Sequence, residues 1–224
     1  MSQKDLFLAS EGDRYHQRNK HKLTLTGPKA ANDRVLASLK ALHLKPASVL
    51  EIGCANGWRL ELLRTIYDAA CVGLDPSAEA IAEGMAAFPN LRLHQGTADS
   101  LPFDADAFDL VIFGFCLYLC DREHLFRIAA EADRVLQNAG HLVVEDFHPP
   151  FPYTNAYEHH HGTLAYKMNY AALFSWNPAY TLVSQLIFDH EERRDVTDPD
   201  DRVSVSVLAR NTQHAYPHQP FTTP

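Results

Sequence analysis

The residues with the clearest chemical potential lie at positions 49–57, where an acid, Glu51, precedes two glycines, Gly53 and Gly57. Apolar residues around the acid predict a buried parallel strand that runs into a tight turn and then a helix. Glycine lets the backbone approach a ligand closely, and such a turn offers backbone N–H groups at the carboxyl edge of a sheet. The segment therefore predicts a ligand site, although a purely structural strand–helix turn has the same pattern.

A second acid, Asp75, ends the next predicted strand, residues 71–75. A helix follows at once, so its carboxylate either caps that helix or accepts hydrogen bonds from a ligand. The glycines after Glu51 do not follow the Gly-x-Gly-x-x-Gly spacing of the dinucleotide fingerprint, and Leu60 is large where a third glycine would allow close packing. The spacing therefore disfavours the alternative of a nicotinamide enzyme.

Length and composition predict one globular domain: 224 residues, 46% hydrophobic and 21% charged, are enough for a full core. The net charge of -8 disfavours general affinity for nucleic acids or anionic membranes. The sequence shows no apolar run of membrane-spanning length and no apolar signal core near its start. The cysteines lack a zinc-site spacing and lie in or beside predicted strands, which predicts reduced thiols and a cytoplasmic protein: Cys54, Cys71, Cys116 and Cys120.

Strand and helix patterns alternate five times through residue 146, which predicts a parallel α/β sheet covered by helices on both faces. Period-two alternation at 180–190 and 203–210 predicts a hairpin that adds an antiparallel edge to this sheet. The expected strands of the parallel part begin near residue 48 and continue at 71–75, 91–95, 108–115 and 141–146. The expected helices are 30–42, 58–67, 78–87 and 121–137, the last closed by Gly140.

Within this one domain, the chain divides into five stretches: an N-terminal arm (1–29), a core (30–148), an insertion or cap (149–178), the hairpin (179–210) and a tail (211–224). The arm carries a basic, aromatic-bearing cluster at residues 14–22. This cluster is either a solvated surface run or a lid that recognises an anionic group through its Arg and Lys side chains.

Four motifs, in order and spacing, resemble those of the class I S-adenosylmethionine-dependent methyltransferases. Residues 49–57 are similar to the family's first motif, 72–75 to the second, 96–103 to the third and 108–113 to the fourth. The resemblance covers roughly residues 30–148. It implies a Rossmann-like, doubly wound, mostly parallel seven-stranded sheet with an antiparallel C-terminal hairpin, S-adenosyl-L-methionine as cofactor, and methyl transfer as the reaction.

The resemblance also implies roles for single residues. Asp75 would accept hydrogen bonds from both ribose hydroxyls, and Glu51 would support the glycine loop that touches the methionine part of the cofactor. Thr97 stands where the family usually has an acid, and Asp99 is a candidate to compensate. Ala55 replaces the family's middle glycine, and Phe113 lies beside the transferred methyl or simply in the core. The expected cofactor-binding residues are Glu51, Gly53, Cys54, Ala55, Gly57, Asp75, Pro76, Thr97, Ala98 and Phe113.

Methyl transfer from a sulfonium is an in-line displacement, and a hydroxyl acceptor needs a base to take its proton. His148 follows the fifth strand at the carboxyl edge of the sheet and is the first candidate, although prolines can hold a histidine there for structural reasons. Tyr15 and His16 in the arm and Tyr118 after strand four are further candidates. No metal is expected, because His159, His160 and His161 cannot all face one ion on regular structure.

The aromatic residues of the insertion favour a polar, ring-bearing small molecule, and the basic arm favours an anionic group on it. The expected acceptor is a sugar, nucleotide-linked compound or natural product, methylated on oxygen or nitrogen. A protein or tRNA methyltransferase and a cofactor-binding scaffold without turnover are the alternatives. No nucleic-acid or membrane partner is expected, and a homodimer is one option because Tyr-rich insertions also build dimer interfaces.

Overall fold

A computed structural model describes residues 2–190, 196, 198–213 and 215–217. Within them, a seven-stranded sheet lies between two layers of helices. Part of the turn predicted between the hairpin strands and the end of the predicted tail, residues 218–224, lie outside the described residues.

The described strands form one large sheet and one short hairpin. They are β1 (Ser48–Ile52), β2 (Ala70–Asp75), β3 (Arg92–Gln95), β4 (Phe108–Gly114), β5 (Leu136–Phe147), β6 (Tyr153–Ala156), β7 (Leu164–Lys167), β8 (Tyr180–Asp189) and β9 (Arg202–Arg210). The large sheet has the order β3-β2-β1-β4-β5-β9-β8. Strands β1 to β5 are mutually parallel, and β9 runs antiparallel to both β5 and β8. This confirms the predicted mostly parallel seven-stranded sheet with its C-terminal antiparallel hairpin.

The order of the strands creates a crevice. From β1 the chain builds β2 and β3 on one side, and it then returns to place β4 and β5 on the other side. Loops that leave the carboxyl ends of β1 and β4 therefore diverge, and open α/β sheets bind ligands at such a point. The first motif of the sequence, at the end of β1, lies at this position.

The helices of the described residues are α1 (Gln3–Leu6), α2 (Gly12–Asn19), α3 (Pro28–Ala31), α4 (Arg34–Ala41), α5 (Trp58–Tyr67), α6 (Ala78–Ala87), α7 (Leu125–Val135) and α8 (Ala172–Ser175). A π-helical turn, Phe7–Glu11, joins α1 to α2, and a 3-10 turn, Lys20–Lys22, follows. Residues 3–22 thus form the N-terminal helical arm, where the sequence pattern predicted only a turn or more of helix.

Two predicted helices have other bounds. The helix expected at 30–42 is broken in two, because Asn32 leaves the helical conformation and Asp33 caps α4 by accepting the N–H of Leu36 at 2.7 Å. The helix expected at 121–137 starts later and ends earlier. Its first turn is 3-10, and Leu136 already has an extended backbone as the first residue of β5. The expected glycine cap around Gly140 is instead part of an irregular start of β5.

Both faces of the sheet are buried, as expected for parallel strands covered on both sides. Along β1, Val49 packs with α4 and α5, whereas Leu50 packs on the opposite side with α7. Each fully buried Leu or Val contributes about 1.5–3 kcal/mol relative to an exposed one. The sheet is therefore a rigid base for the loops at its carboxyl edge.

The remaining sequence-based expectations concern the cysteines and the membrane. All four cysteines are free thiols, as predicted. Within the part of the chain that the structure describes, none of the helices combines the length and the apolar character needed to cross a bilayer.

Candidate active site

A cavity of about 690 Å³ lies at the carboxyl edge of the sheet, with the N-terminal helical arm along one side. Its walls come from the loops after β1, β2, β3 and β4, from the arm, from the segment around α3, and from the hairpin β8–β9. The volume is that of a small-molecule or cofactor site. It joins all the sheet positions at which the sequence predicted ligand contacts.

The glycine loop after β1 needs its glycines. Gly53 and Gly57 have φ angles of 79° and 78°, in the left-handed region that favours glycine. A Cβ on Gly53 would lie 2.7 Å from the Cβ of Cys116, so the loop is pressed against the end of β4. Ala55 shares the left-handed conformation, with φ of 49°, at some cost in strain. Its N–H donates to Asp75 at 2.8 Å, which holds this conformation.

Asp75 connects two loops and keeps acceptor capacity. Its Oδ2 accepts the N–H of Ala55, and its Oδ1 accepts the N–H of Ser77 at 2.9 Å. Burial raises the pKa of Asp75, while the two backbone N–H groups oppose that shift. The cap of α6 is Ser77, whose side chain accepts from Ala80 at 3.0 Å. Each carboxylate oxygen of Asp75 accepts one of these bonds and keeps further acceptor capacity, and the residue lines the cavity.

A buried cluster of charges lies behind the glycine loop. Arg59 donates to Asp33 at 2.8 Å, to Glu51 at 2.6 Å and to Glu145 at 2.5 Å. Burial opposes the charge of Arg59, but the three carboxylates together raise its pKa well above the ordinary value. Three carboxylates around one guanidinium leave an excess of negative charge at this wall of the cavity.

Glu51 is the member of this cluster that fits a cationic ligand. It is 2% exposed and lines the cavity, and its Oε2 has no hydrogen-bond partner among the described residues. Burial raises the pKa of Glu51 to about 7. A buried carboxylate oxygen without a partner is costly, so an ammonium or N–H group of a ligand at this point would be strongly favoured.

The loop after β3 is tied to the arm. Asp99 accepts from the hydroxyl of Thr97 at 2.7 Å and from Nζ of Lys4 at 2.9 Å. Although burial acts in the opposite direction, these two bonds lower the pKa of Asp99. Both of its oxygens thus have protein partners, and its expected compensation for Thr97 stays a prediction.

The other end of the cavity, toward β5, β9 and β8, is aromatic and basic. Arg34 lies over the ring of Phe188 at 4.0 Å, and Nζ of Lys29 lies 5.8 Å from the ring centre of Trp58. Solvent reaches Lys29, yet the surrounding protein lowers its pKa, as expected for a side chain inside a cavity. Among the described residues, neither Lys29 nor Arg34 has a carboxylate within ion-pair distance.

His190 lies at the same end. Its ring stacks on Phe115 with ring centres 5.0 Å apart and an angle of 16° between the planes. Phe147 packs against it at 5.6 Å. Solvent reaches His190, yet desolvation by the surrounding protein lowers its pKa, and the nearby cations of Lys29 and Lys167 act in the same direction.

The structure brings most of the sequence-predicted residues to the cavity. The lining includes Tyr15, Glu51, Gly53, Cys54, Ala55, Asp75, Pro76, Thr97 and Ala98. It does not include Gly57, Phe113, His16, Tyr118 or His148. Gly57 lies under Leu91 and Leu93, and Phe113 is fully buried in the core, which was the alternative interpretation of that residue.

Of the four candidate bases, three lie outside the lining. His16 is 2% exposed and contacts Glu83 at 3.0 Å, so it fastens the arm to α6. Tyr118 is buried, and burial raises its pKa well above the ordinary value. Tyr15 does line the cavity, but burial raises its pKa as well, so both phenols keep their protons at neutral pH. They are suited to donate hydrogen bonds rather than to accept a proton.

His148 is the fourth candidate, and the geometry does not support it. Neither ring nitrogen is exposed, and neither has a hydrogen-bond partner among the described residues. Burial lowers its pKa. Its backbone N–H donates to Arg202 at 2.8 Å, which fixes it beside the hairpin and outside the cavity lining.

Lys29, Trp58 and His190 are among the lining residues that escaped the sequence analysis. Trp58 follows Gly57 directly, and His190 ends a predicted strand, so position in the motif or at a strand end was a weak signal for both. Lys29 follows Gly27 and Pro28 and carries no local signal. The described residues contain no group of three or more His, Cys, Asp or Glu side chains suited to a metal ion. His160 instead bonds Thr163 at 2.8 Å.

The sheet order, the glycine loop and the acid at the end of β2 are features of the Rossmann-like fold of class I S-adenosylmethionine-dependent methyltransferases. Residues 49–140 match the family described as "Methyltransferase domain". This match covers about two fifths of the chain and includes the first, second, third and fourth motifs of the sequence.

Curated relatives match over the same part of the chain. The chain is 32% identical over 114 residues to the phthiotriol/phenolphthiotriol dimycocerosates methyltransferase of Mycobacterium leprae. The matched stretch covers 48% of this chain and 40% of that protein. The chain is 34% identical over 109 residues to an uncharacterized methyltransferase, YcgJ, of Bacillus subtilis, 46% of this chain and 41% of that protein. The match thus spans about two fifths of the length of these relatives.

Solved structures share the fold over most of the chain. The 1,6-didemethyltoxoflavin-N1-methyltransferase of Burkholderia thailandensis has a TM-score of 0.71 at 16% identity, covering 92% of this chain and 88% of its own. The N-methyltransferase NodS of Bradyrhizobium japonicum has a TM-score of 0.63 at 18% identity, and the match covers 88% of this chain and 99% of NodS. At this identity the likeness extends to the fold and no further.

Proposed function

We propose that the chain transfers the methyl group of S-adenosylmethionine to a small molecule bound in the same cavity. The observation that carries this proposal is the continuity of the cavity. It joins the glycine loop and Asp75 to an aromatic, basic end formed by the hairpin and the segment around α3.

The residues present fit the cofactor. The unpaired Oε2 of Glu51 is an acceptor for the α-ammonium group, and the free lone pairs of Asp75 suit the ribose diol. The absence of a Cβ on Gly53 leaves room beside the loop, and Thr97 and Ala98 lie where the adenine would follow. When bound, S-adenosylmethionine supplies a methyl group activated by its sulfonium.

The chain itself has to align the acceptor and exclude water. The N-terminal helical arm lies along the cavity, with Phe7 and Tyr15 among the lining residues. Phe115, at the border between the two ends, presents an aromatic ring, and aromatic faces favour cations such as a sulfonium.

For the acceptor, the lining supports a ring-bearing molecule with an anionic group, methylated on oxygen or nitrogen. Trp58 and Phe188 offer ring faces, and Lys29 and Arg34 offer cations that no carboxylate of the described residues pairs with. Sugar acids, nucleotide-linked compounds and aromatic natural products fit this description. The phthiotriol/phenolphthiotriol dimycocerosates and the 1,6-didemethyltoxoflavin in the names of similar proteins are substrates of those proteins and do not identify the acceptor of this chain.

The structure changes the reason for expecting an anionic group. The basic cluster at 14–22 was the predicted anion-binding lid, but Arg18 pairs with the buried Glu11 at 2.6 Å, and His16 contacts Glu83. Part of its charge is therefore used within the arm and against α6. Together with the net charge of -8, this internal pairing supports a small-molecule acceptor over tRNA.

Calorimetric titration with S-adenosylmethionine and with S-adenosylhomocysteine tests the cofactor half. We expect binding by the wild type, and an Asp75→Ala variant weakened by on the order of 1–3 kcal/mol, the cost of an unmet buried hydrogen-bond set. Asp75→Asn is the matched control: it keeps one acceptor oxygen and should lie between the two. Equal affinities for all three proteins would contradict the role of Asp75.

Turnover tests the acceptor half. The wild-type chain is incubated with S-adenosylmethionine and a panel of hydroxybenzoates, sugar acids, nucleotides and amines, and methylated products are detected by mass spectrometry. Methylation of a ring-bearing acid supports the proposal. Cofactor binding without methylation of any panel member would favour the scaffold alternative.

A further inference from the structure

We propose that His190 is the group that accepts the proton of a hydroxyl acceptor during methyl transfer. The inference rests on the proposed function, and it replaces His148, which the sequence pattern favoured. Three structural observations support it: where the ring lies, how it is held, and what its nitrogens contact.

The position of the His190 ring is defined by the end of β4, which lies between the cofactor end and the acceptor end of the cavity. A Cβ on Gly114 would lie 2.6 Å from Glu51 and 2.9 Å from the carbonyl of Gly53, so the end of β4 abuts the glycine loop. Phe115 follows directly, and His190 stacks on it at 5.0 Å. The imidazole therefore lies next to the end of the cofactor site and on the acceptor side of it.

The ring is held by packing rather than by hydrogen bonds. Phe115 and Phe147 contact its faces, and its backbone N–H donates to Asp201 at 2.7 Å, which fixes the end of β8. Its ring nitrogens have no hydrogen-bond partner among the described residues, and the side chain lines the cavity. An imidazole that lines the cavity, stacks on an aromatic ring and has ring nitrogens without a protein partner is placed to act as a general base.

The surroundings keep this imidazole neutral. Although solvent reaches His190, desolvation by the surrounding protein lowers its pKa, and the cations of Lys29 and Lys167 act in the same direction, whereas Asp201 and Glu145 oppose them. A neutral ring is the form that takes up a proton at physiological pH.

The step balances without a further reactant. The acceptor oxygen forms a bond to the methyl carbon, the carbon–sulfur bond breaks, and its electron pair stays on sulfur as a neutral thioether. The hydroxyl proton moves to a ring nitrogen of His190 and then to water through the open end of the cavity.

The other histidines of the lining do not share this arrangement. His124 contacts Glu123 at 3.7 Å and lies with Cys120 and Asp121 at the β3–β4 end, where the cofactor is expected. His21 is exposed on the 3-10 turn that ends the helical arm. Among the lining histidines of the described residues, only His190 packs on Phe115, whose ring lies at the border between the cofactor end and the acceptor end of the cavity.

A first test uses diethyl pyrocarbonate, which acylates neutral, accessible imidazoles, with peptide mass spectrometry of the full chain. We expect label on His190 both without and with S-adenosylhomocysteine, because a base on the acceptor side stays open when the cofactor site is filled. His124 should be labelled only without it, and the buried nitrogens of His16 and His148 should stay unlabelled. Equal protection of His190 and His124, or no label on His190, would overturn the inference.

A second test compares His190→Gln with His148→Gln in turnover of a hydroxyl acceptor from the panel. His190→Gln should lower kcat by roughly 10²- to 10⁴-fold at neutral pH. The loss should shrink as rising pH ionises the acceptor itself, while affinity for S-adenosylhomocysteine stays unchanged. His148→Gln should keep wild-type turnover. A His190→Gln variant with wild-type turnover and pH profile would refute the role, whereas failure of the wild type to bind S-adenosylhomocysteine would refute the proposed function instead.

Discussion

At the scale of single residues, two carboxyl groups at strand ends bind protons near neutral pH because they are buried. Glu51 ends its strand beside the cavity, and Asp146 lies at the end of β5 with 1% of its surface exposed. Asp146 accepts the backbone N–H groups of Leu117, Tyr118 and Phe147 at 2.9, 3.3 and 2.8 Å. Burial nevertheless raises its pKa from 3.8 to about 7.

The raised pKa of Asp146 makes stability depend on pH in a definite direction. The folded state holds a proton on Asp146 up to pH 7, and the unfolded state releases it near pH 3.8, so this contribution is present at low pH and lost as pH rises toward 7. Between pH 5 and 8, the wild type should lose on the order of 2 kcal/mol of unfolding free energy relative to Asp146→Asn. Urea denaturation at both pH values measures this, and parallel curves for the two proteins would contradict it.

The sequence predicted the site residues that belong to a short local motif, and it missed those that only the fold brings to the cavity. Gly53 and Asp75 belong to short strand–loop–helix motifs in which residue type, spacing and position at a strand end coincide, so their place in the cavity was predictable. Lys29 and His190 come from opposite parts of the chain, and only the sheet topology brings them to the same cavity. No spacing rule connects them, and the prediction therefore settled on His148, which is close to the core motifs in sequence.

At the scale of elements, the N-terminal helical arm is the part that closes the cofactor end. Asp13 in α2 accepts the hydroxyl of Ser77 at 2.7 Å and the N–H of Glu79 at 3.0 Å, both at the start of α6. Close to the same point, a Cβ on Gly12 would lie 3.1 Å from the backbone nitrogen of Ser77. The arm is thus fastened where the loop after Asp75 begins.

Removal of this attachment should speed loss of the cofactor product. In Asp13→Ala two hydrogen bonds between arm and α6 disappear, each worth about 1 kcal/mol, so S-adenosylhomocysteine should dissociate roughly 5- to 30-fold faster. Stopped-flow displacement measures the rate. Gln17→Ala, which removes only an exposed contact to Glu79 at 2.8 Å, should change it little. Equal rates for Asp13→Ala and the wild type would show that the arm does not retain the ligand.

The elements themselves were largely predictable, and the errors have physical causes. Continuous apolar runs marked the parallel strands, and alternation marked the hairpin. The helix expected to reach residue 137 was too long because Val135 and Leu136 continue an apolar pattern while the backbone changes from helix to strand. The arm was underestimated because α2 is mostly polar, and its burial comes from tertiary contacts such as that of His16 with Glu83.

At the scale of the whole molecule, Arg59 connects elements that are far apart in sequence. From α5 it reaches the cap of α4 through Asp33, strand β1 through Glu51, and strand β5 through Glu145. The side chain of Arg59 is 5% exposed, so these contacts lie out of water. The guanidinium thus holds the cofactor end and the acceptor end of the cavity in fixed relation.

Loss of this guanidinium should destabilise the whole fold. Arg59→Ala leaves three carboxylates buried without their cation and should lower the unfolding free energy by about 3–5 kcal/mol. The loss should be smaller at pH 5, where the carboxylates take up protons. Arg64→Ala, on the same helix, breaks only a surface pair with Glu61 and should cost less than about 1 kcal/mol. Similar unfolding curves for the two variants would contradict the assigned role of Arg59.

The two ends of the cavity also differ in where their residues lie along the chain. Apart from the N-terminal helical arm, the proposed cofactor end is built from within residues 49–140, the stretch that matches the methyltransferase family. Much of the acceptor end comes from flanking segments: Lys29, Arg34, Glu145, Phe188 and His190. Substitutions in these flanking segments should therefore alter the proposed acceptor site and leave the proposed donor site intact. Likeness within residues 49–140 thus points to the proposed methyl donor, whereas the acceptor has to be inferred from the flanking residues.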